Sequence, residues 1–138
     1  MNAPDPSGPV VLTITGNNGV VQARLVARNL AQECRLSQVE QTKLVTAASE
    51  LARNTLVHAG GGTMTATLVD DFGRRGVRLV FADQGPGIPD IDLALTDGWT
   101  SGTGMGLGLS GSRRLVDDFV LDSVPGQGTT ITITKWAR

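Results

Sequence analysis

A single cysteine, Cys34, excludes an internal disulfide framework in this chain of 138 residues and fits a reducing compartment. It falls on an apolar helical spacing, which predicts a small core residue rather than a nucleophile. Net charge is nearly absent: 12 basic and 13 acidic residues leave −1, so there is no electrostatic footprint for nucleic acid or an anionic membrane. No apolar run approaches the length of a membrane span, and the opening Met1-Asn2-Ala3-Pro4-Asp5-Pro6-Ser7-Gly8-Pro9 lacks the basic and apolar parts of a signal peptide. A flexible tail over 1–9, one domain over 10–138 and a cytoplasmic location are expected. Gly-Lys-Ser and Gly-Lys-Thr do not occur, which excludes a Walker A loop. Aromatic residues are few at 4%, but the apolar fraction of 40% is ordinary for a chain that buries a core.

What is present reads in order as β-α-α-β-β-α-β-β. Val10 to Ile14 is a first strand closed by the turn run Gly16-Asn17-Asn18-Gly19. Val20, Ala23, Ala27, Leu30, Ala31 and Cys34 then recur at helical spacing. Ser37-Gln38-Val39-Glu40 has the form of a capping box, opening a second helix that runs to about His58 and stops at Gly60-Gly61-Gly62. In it Leu44, Ala48 and Leu51 share a core stripe, while Glu50 and Asn54 stand one turn apart on a neighbouring face. His58, at its end, is expected to pack or cap rather than to catalyse.

Strands over Thr63 to Asp70 and Gly76 to Asp83 form a hairpin, and a loop rich in Asp, Thr, Ser and Gly fills Pro89 to Gly104. A glycine-rich run from Gly104 leads into a helix expected to end near Phe119, with Leu109, Arg113 and Val116 among its members. The last strands are expected over Val120 to Val124 and Thr129 to Trp136, the final one as a half-buried edge or hairpin strand. This order implies a two-layer α/β sandwich, with a mixed, largely antiparallel sheet and its helices on one face.

Three stretches carry chemistry. Asp83-Gln84-Gly85-Pro86-Gly87 places an acid at the end of an apolar strand, where an unpaired carboxylate is costly, and follows it with glycines that admit a flat group. A carboxylate only accepts hydrogen bonds, so it favours adenine, with its exocyclic amine, over guanine. Gly104, Gly106 and Gly108 leave amides unobstructed near a helix start and suit phosphate. The motif Gly106 to Gly111 matches G-x-G-x-x-G without the preceding strand of a dinucleotide fold. Asn54 is a sufficient neutral ligand for magnesium when a triphosphate supplies the charge, and Glu50 is placed to orient or deprotonate an attacking hydroxyl.

In combination these stretches resemble the GHKL (Bergerat-fold) ATPase superfamily: Ser49 to Asn54 its N box, Asp83 to Gly87 its G1 box, Gly104 to Gly108 its G2 box, and Gly128-Thr129 its late G-x-G-T element. Within it the chain is similar to anti-sigma-factor-type serine/threonine kinases, above all the RsbT-type switch kinases of bacterial stressosomes. That subgroup is matched by Ser49 to Asn54, Asp83 to Asp90, Asp97-Gly98-Trp99-Thr100 and Thr134-Lys135-Trp136. The resemblance implies a protein serine/threonine kinase using ATP and Mg2+, with Glu50 as general base, Asn54 as magnesium ligand and Asp83 on the adenine amine. It places Gly85, Gly87 and Thr129 in the base pocket, Gly104, Gly106 and Gly108 on the phosphates, and Arg24 against a protein partner. The implied substrate is a STAS-domain antagonist, and the freed kinase would activate a PP2C-type phosphatase. An anti-sigma factor that sequesters a sigma subunit and a nucleotide-gated module with little turnover are the alternatives. The loop over 89–104, carrying Trp99, is expected to order over bound triphosphate.

Overall fold

A computed structural model of the chain describes residues 8–88, 95 and 108–137. Its elements are β1 (Val10–Ile14), α1 (Asn17–Glu33), α2 (Gln38–Ala59), β2 (Gly62–Asp71), β3 (Arg74–Asp83), α3 (Gly108–Arg114), β4 (Asp118–Val124) and β5 (Gly128–Trp136). The expected element order holds. The five strands form one sheet in the order β1-β2-β3-β5-β4, and each neighbouring pair is antiparallel.

Strand alternation gives the sheet two unlike faces. Met64, Phe81 and Ile131 lie opposite one another across β2, β3 and β5, as do Ala66, Leu79 and Ile133, and all six are buried. The helices cover this face. On the other, Thr65, Val80 and Thr132 are register partners, flanked by Val11 and Val120, which are exposed. The helix layer is built on alanine: Ala23, Ala27 and Ala31 of α1 and Ala47, Ala48 and Ala52 of α2 have no exposed surface. Side chains of one carbon let the two helix backbones approach each other and the sheet, with Leu44 and Leu51 filling the space beneath.

Helix ends follow their local chemistry. Asn17 to Gly19, expected in a turn, already belong to α1, because extended Gly16 serves as its N-cap. α1 stops where Arg35 adopts φ +61°; the amides of Arg35 and Leu36 donate back to the carbonyls of Gln32 and Ala31, which satisfies carbonyls the helix would leave unpaired. Ser37 caps α2 as expected, its Oγ accepting from the Glu40 amide at 3.2 Å. The Glu40 carboxylate has a further role: Lys135 Nζ of β5 lies 2.6 Å from its Oε2 and 3.8 Å from Asp117 Oδ1, with the lysine side chain buried. The start of α2 is thereby tied to the far end of the sheet.

One expectation is corrected and two are narrowed. α3 ends at Arg114, so Val116 is not a helix member and Phe119 lies in β4 opposite Ile133. Two acids pull the chain out of the helix: Asp117 Oδ2 accepts from the Trp136 amide at 2.7 Å, and Asp118 Oδ2 from the Trp136 indole at 2.8 Å. From there Phe119, Leu121 and Ser123 alternate inward, a period of two that overrides the helical one. β5 is the hairpin partner of β4 but not an edge, since it also pairs with β3. His58 is exposed in the last turn of α2, so it does not pack.

Candidate functional site

The site forms where the last turns of α2 meet the end of β3 and the β4–β5 turn. Asp83 ends β3, half-buried, and its Oδ1 accepts the Gly85 amide at 2.9 Å. That bond curls the chain back under the carboxylate. Directly across β3–β5, Thr129 is the register partner of Asp83, and across β4–β5 Ser123 is the register partner of Thr129. The three side chains therefore form a row on the helix-covered side of the sheet.

Glycine is required at two points of this arrangement. Gly128 has φ +113°, and a Cβ there would stand 2.2 Å from the Asp83 carbonyl oxygen, so only glycine lets β5 begin against the end of β3. Gly87 has φ +77°, and its Cβ would fall 2.5 Å from the Val124 carbonyl oxygen. The loop after Asp83 is thus seated on the β4–β5 turn. The Gly126 amide donates to the Pro86 carbonyl at 2.8 Å, and the Ile88 amide to Ser123 Oγ at 2.7 Å.

α2 closes the other side. An added Cβ on Gly85 would be 2.6 Å from Ala59 Cβ, and one on Gly62 would be 2.8 Å from Thr55 Cγ2, so the final turns of α2 abut the strand ends. Glu50 and Asn54, both half-buried, lie just before that contact on the same helix, Asn54 next to Thr55 and Glu50 one turn earlier. Arg53 Nη1 stands 3.7 Å from Glu50 Oε1, more exposed than the carboxylate it faces. α3 packs against α2, and Gly108, its first residue, has φ +69°. Of the expected site residues, Glu50, Asn54, Asp83, Gly85, Gly87, Gly108 and Thr129 lie in these abutting elements. Gly104, Gly106, Trp99 and the expected lid over 89–104, apart from Leu95, lie outside the described residues.

Arg24 lies elsewhere. It is on the outer face of α1, where Val21, Arg24, Leu25 and Arg28 line an open depression of about 200 Å³. Val21 and Leu25 are 49% and 45% exposed. Cys34 is buried in the core as expected, and burial pushes its thiol above the ordinary pKa, with Arg75 opposing weakly.

Residues 39–138 match the family model described as histidine kinase-, DNA gyrase B-, and HSP90-like ATPase. The chain belongs to this ATPase family. Among curated relatives it is 45% identical over 119 residues to the serine/threonine-protein kinase RsbT of Bacillus subtilis (strain 168), covering 86% of this chain and 90% of that protein. It is 32% identical over 105 residues to an anti-sigma F factor of Bacillus licheniformis, covering 70% and 69%. The fold is shared with solved structures. One contains the RsbU and RsbW domains of a Mycobacterium tuberculosis protein, with TM-score 0.67, 22% identity, 96% of this chain and 34% of that chain covered. Another is the mycobacterial sensor histidine kinase MprB, with TM-score 0.58, 21% identity, and 96% and 98% covered. The ATPase match begins at the second residue of α2 and takes in every site element above, whereas β1 and α1 lie outside it.

Sequence reasoning missed Ser123. The signal was present: a turn over Pro125, Gly126 and Gln127 pairs Val124 with Gly128 and so sets Ser123 beside Thr129. Lys135 carries a signal of its own, since a lysine in an otherwise buried strand demands acids around it.

Proposed function

We propose that this ATPase-family chain is a Mg-ATP-dependent protein serine/threonine kinase of a partner-switching pathway, acting in the cytoplasm on a STAS-domain antagonist. The observation that carries the reading is the meeting of Asp83, the loop seated on the β4–β5 turn and the Glu50–Asn54 segment of α2, together with 45% identity to a serine/threonine-protein kinase over most of both chains.

Each residue has a task set by its chemistry. Asp83, accepting from Gly85 on one oxygen, keeps acceptor capacity for the exocyclic amine of adenine. Gly85 and Gly87 let the base lie close to backbone, and Thr129 lines the same pocket. Gly104, Gly106 and Gly108 offer amides to the phosphates. Among the described residues no cluster of three or more His, Cys, Asp or Glu suits a metal, so the donor set fits an ion held mainly by the triphosphate, with the Asn54 amide oxygen as protein ligand. When bound there, Mg2+ neutralises charge on the phosphate oxygens and orients the terminal phosphoryl group. Glu50 accepts the proton of the substrate hydroxyl as its oxygen bonds to the terminal phosphorus and the bond to the bridging oxygen breaks. Such a base is worth about 10²–10⁴ in rate.

The outer face of α1 is suited to the partner. Arg24 and Arg28 flank exposed Val21 and Leu25, a surface complementary to an acidic, partly apolar protein segment. Phosphorylating the antagonist sets up to two negative charges beside the Glu50 carboxylate, away from Arg24 and Arg28, and that local repulsion favours release. The released kinase would then bind and activate a PP2C-type phosphatase. Similarity to an anti-sigma F factor favours a second reading, in which the same face holds a sigma subunit.

The test is incubation of the chain with γ-labelled ATP and a STAS-domain protein, with and without Mg2+. Metal-dependent label on the STAS-domain protein, lost in Asn54→Ala, is expected. Nucleotide binding without transfer would replace the kinase by a nucleotide-gated binding module.

A further inference from the structure

Ser123 Oγ sits among three polar neighbours. The Ile88 amide donates to it at 2.7 Å, the Gly128 carbonyl oxygen lies 3.3 Å away, and Thr129 Oγ1 lies 2.9 Å away. A serine hydroxyl has one proton and two lone pairs. Ile88 occupies one lone pair. The Gly128 carbonyl can only accept, so it takes the serine proton. All three contacts are then satisfied in one way: Thr129 donates its own proton to the second lone pair of Ser123. The reverse polarity would give the serine proton to Thr129 and leave two oxygens, Ser123 Oγ and the Gly128 carbonyl, facing each other without a proton between them.

We infer that Ser123 is a positioning residue that sets purine specificity by spending the Thr129 proton and leaving the Thr129 hydroxyl an acceptor. This rests on the proposed adenine site. Its consequence is that Thr129 and its register partner Asp83, an acceptor-only carboxylate when ionised, present acceptors side by side. A purine bearing a 6-amino group offers two protons to them. A 6-oxo purine turns a lone pair toward the same atoms and is rejected, as half-buried Asp83 and buried Thr129 are then left without a donor at a cost. Without Ser123 the Thr129 proton is free to rotate toward the base, and the 6-oxo purine finds a donor.

Equilibrium binding of ADP and inosine diphosphate to the intact chain and its variants tests this. The unmodified protein is expected to prefer ADP at least tenfold. Ser123→Ala is expected to narrow that ratio at least fivefold, whereas Ser123→Thr, which keeps the hydroxyl, retains it. Loosening of the Ile88 loop alone would weaken both nucleotides in proportion and leave the ratio unchanged; that result overturns the inference. Should Ser123→Ala not fold, Ser123→Cys serves instead, its thiol a weak acceptor for the Thr129 proton: a ratio like that of the unmodified protein would overturn the inference, and a narrowed one upholds it. Asp83→Asn separates the two levels. A collapsed ratio in Asp83→Asn beside an unchanged one in Ser123→Ala sinks the role of Ser123 alone, and an unchanged ratio in Asp83→Asn sinks the adenine site beneath it.

Discussion

α1 and α2 lie together on one face of the sheet, and both use fully buried alanines to do so, yet their outer surfaces differ in kind. α2 is flanked by α1, α3 and the loop after β3, so polar groups at its margin, Glu50 and Asn54, are half-buried. Among the described residues α1 packs chiefly on α2 and the first three strands, and its far side leaves Val21 and Leu25 open beside Arg24 and Arg28. Partial desolvation on α2 suits chemistry, because electrostatic interactions strengthen as water is removed. Uncovered apolar surface rimmed by charge on α1 suits recognition. Under the proposed roles, chemistry and docking fall on different helices of one layer, and substitutions should separate them.

The largest separation is expected for Glu50→Gln. Phosphoryl transfer should fall by about 10²–10⁴, the contribution of a general base, while nucleotide and partner affinities stay within a factor of two or so. Steady-state transfer beside partner binding on the same preparation checks this, and parallel losses would break the division between helices.

Lys135→Met comes next. Removing the lysine takes away the buried cation between Glu40 and Asp117, while Lys43 stays 4.0 Å from Glu40 and the Trp136 amide on Asp117, so a loss of about 1–3 kcal/mol is expected. Urea unfolding should show a loss of that order. A stability unchanged by the substitution would mean that α2 is not anchored through this cluster.

A smaller effect is expected for Arg24→Glu: partner affinity about tenfold weaker, the scale of an interface residue worth more than 1 kcal/mol, with ATP affinity and melting temperature unchanged. Weakened ATP binding would place Arg24 in the nucleotide site instead.

The smallest concerns the core beneath α1. The Cys34 thiol has its pKa raised by burial above 9.0. Below that value the thiol is neutral in both folded and unfolded chains, and its burial stabilises fully. As pH rises past 9.0 the unfolded chain ionises first, and this part of the stability declines until the folded thiol ionises as well. With no tyrosine in the chain, few other groups titrate there. Unfolding midpoints at pH 8 and pH 10 should differ less in Cys34→Ala than in the unmodified protein.

Much of this organisation was legible in the sequence because periodicity and punctuation agreed. The capping serine, the triple glycine after α2 and the alternation in β2 and β3 each point to the element that forms. The end of α3 was not legible, since Val116 and Phe119 continue a helical spacing and only the bonds from Asp117 and Asp118 to Trp136, which are distant in sequence, draw them into the sheet. Candidate residues on α2 and β3 could be named from charge and spacing. Ser123 needs one further step, pairing β4 with β5 across the turn after Val124, which sets it in a row with Thr129 and Asp83.

Transfer to a serine or threonine hydroxyl would set this chain apart within a family named in part for histidine kinases. It is tested most directly by the chemical stability of the label transferred from γ-labelled ATP to a STAS-domain protein. Label that survives acid and is released by alkali, as a phosphate ester of serine or threonine is, and that is missing with Glu50→Gln, is the expected result. Label lost in acid, as from phosphohistidine, would mean transfer to histidine, and label undiminished by Glu50→Gln would mean that Glu50 is not the base.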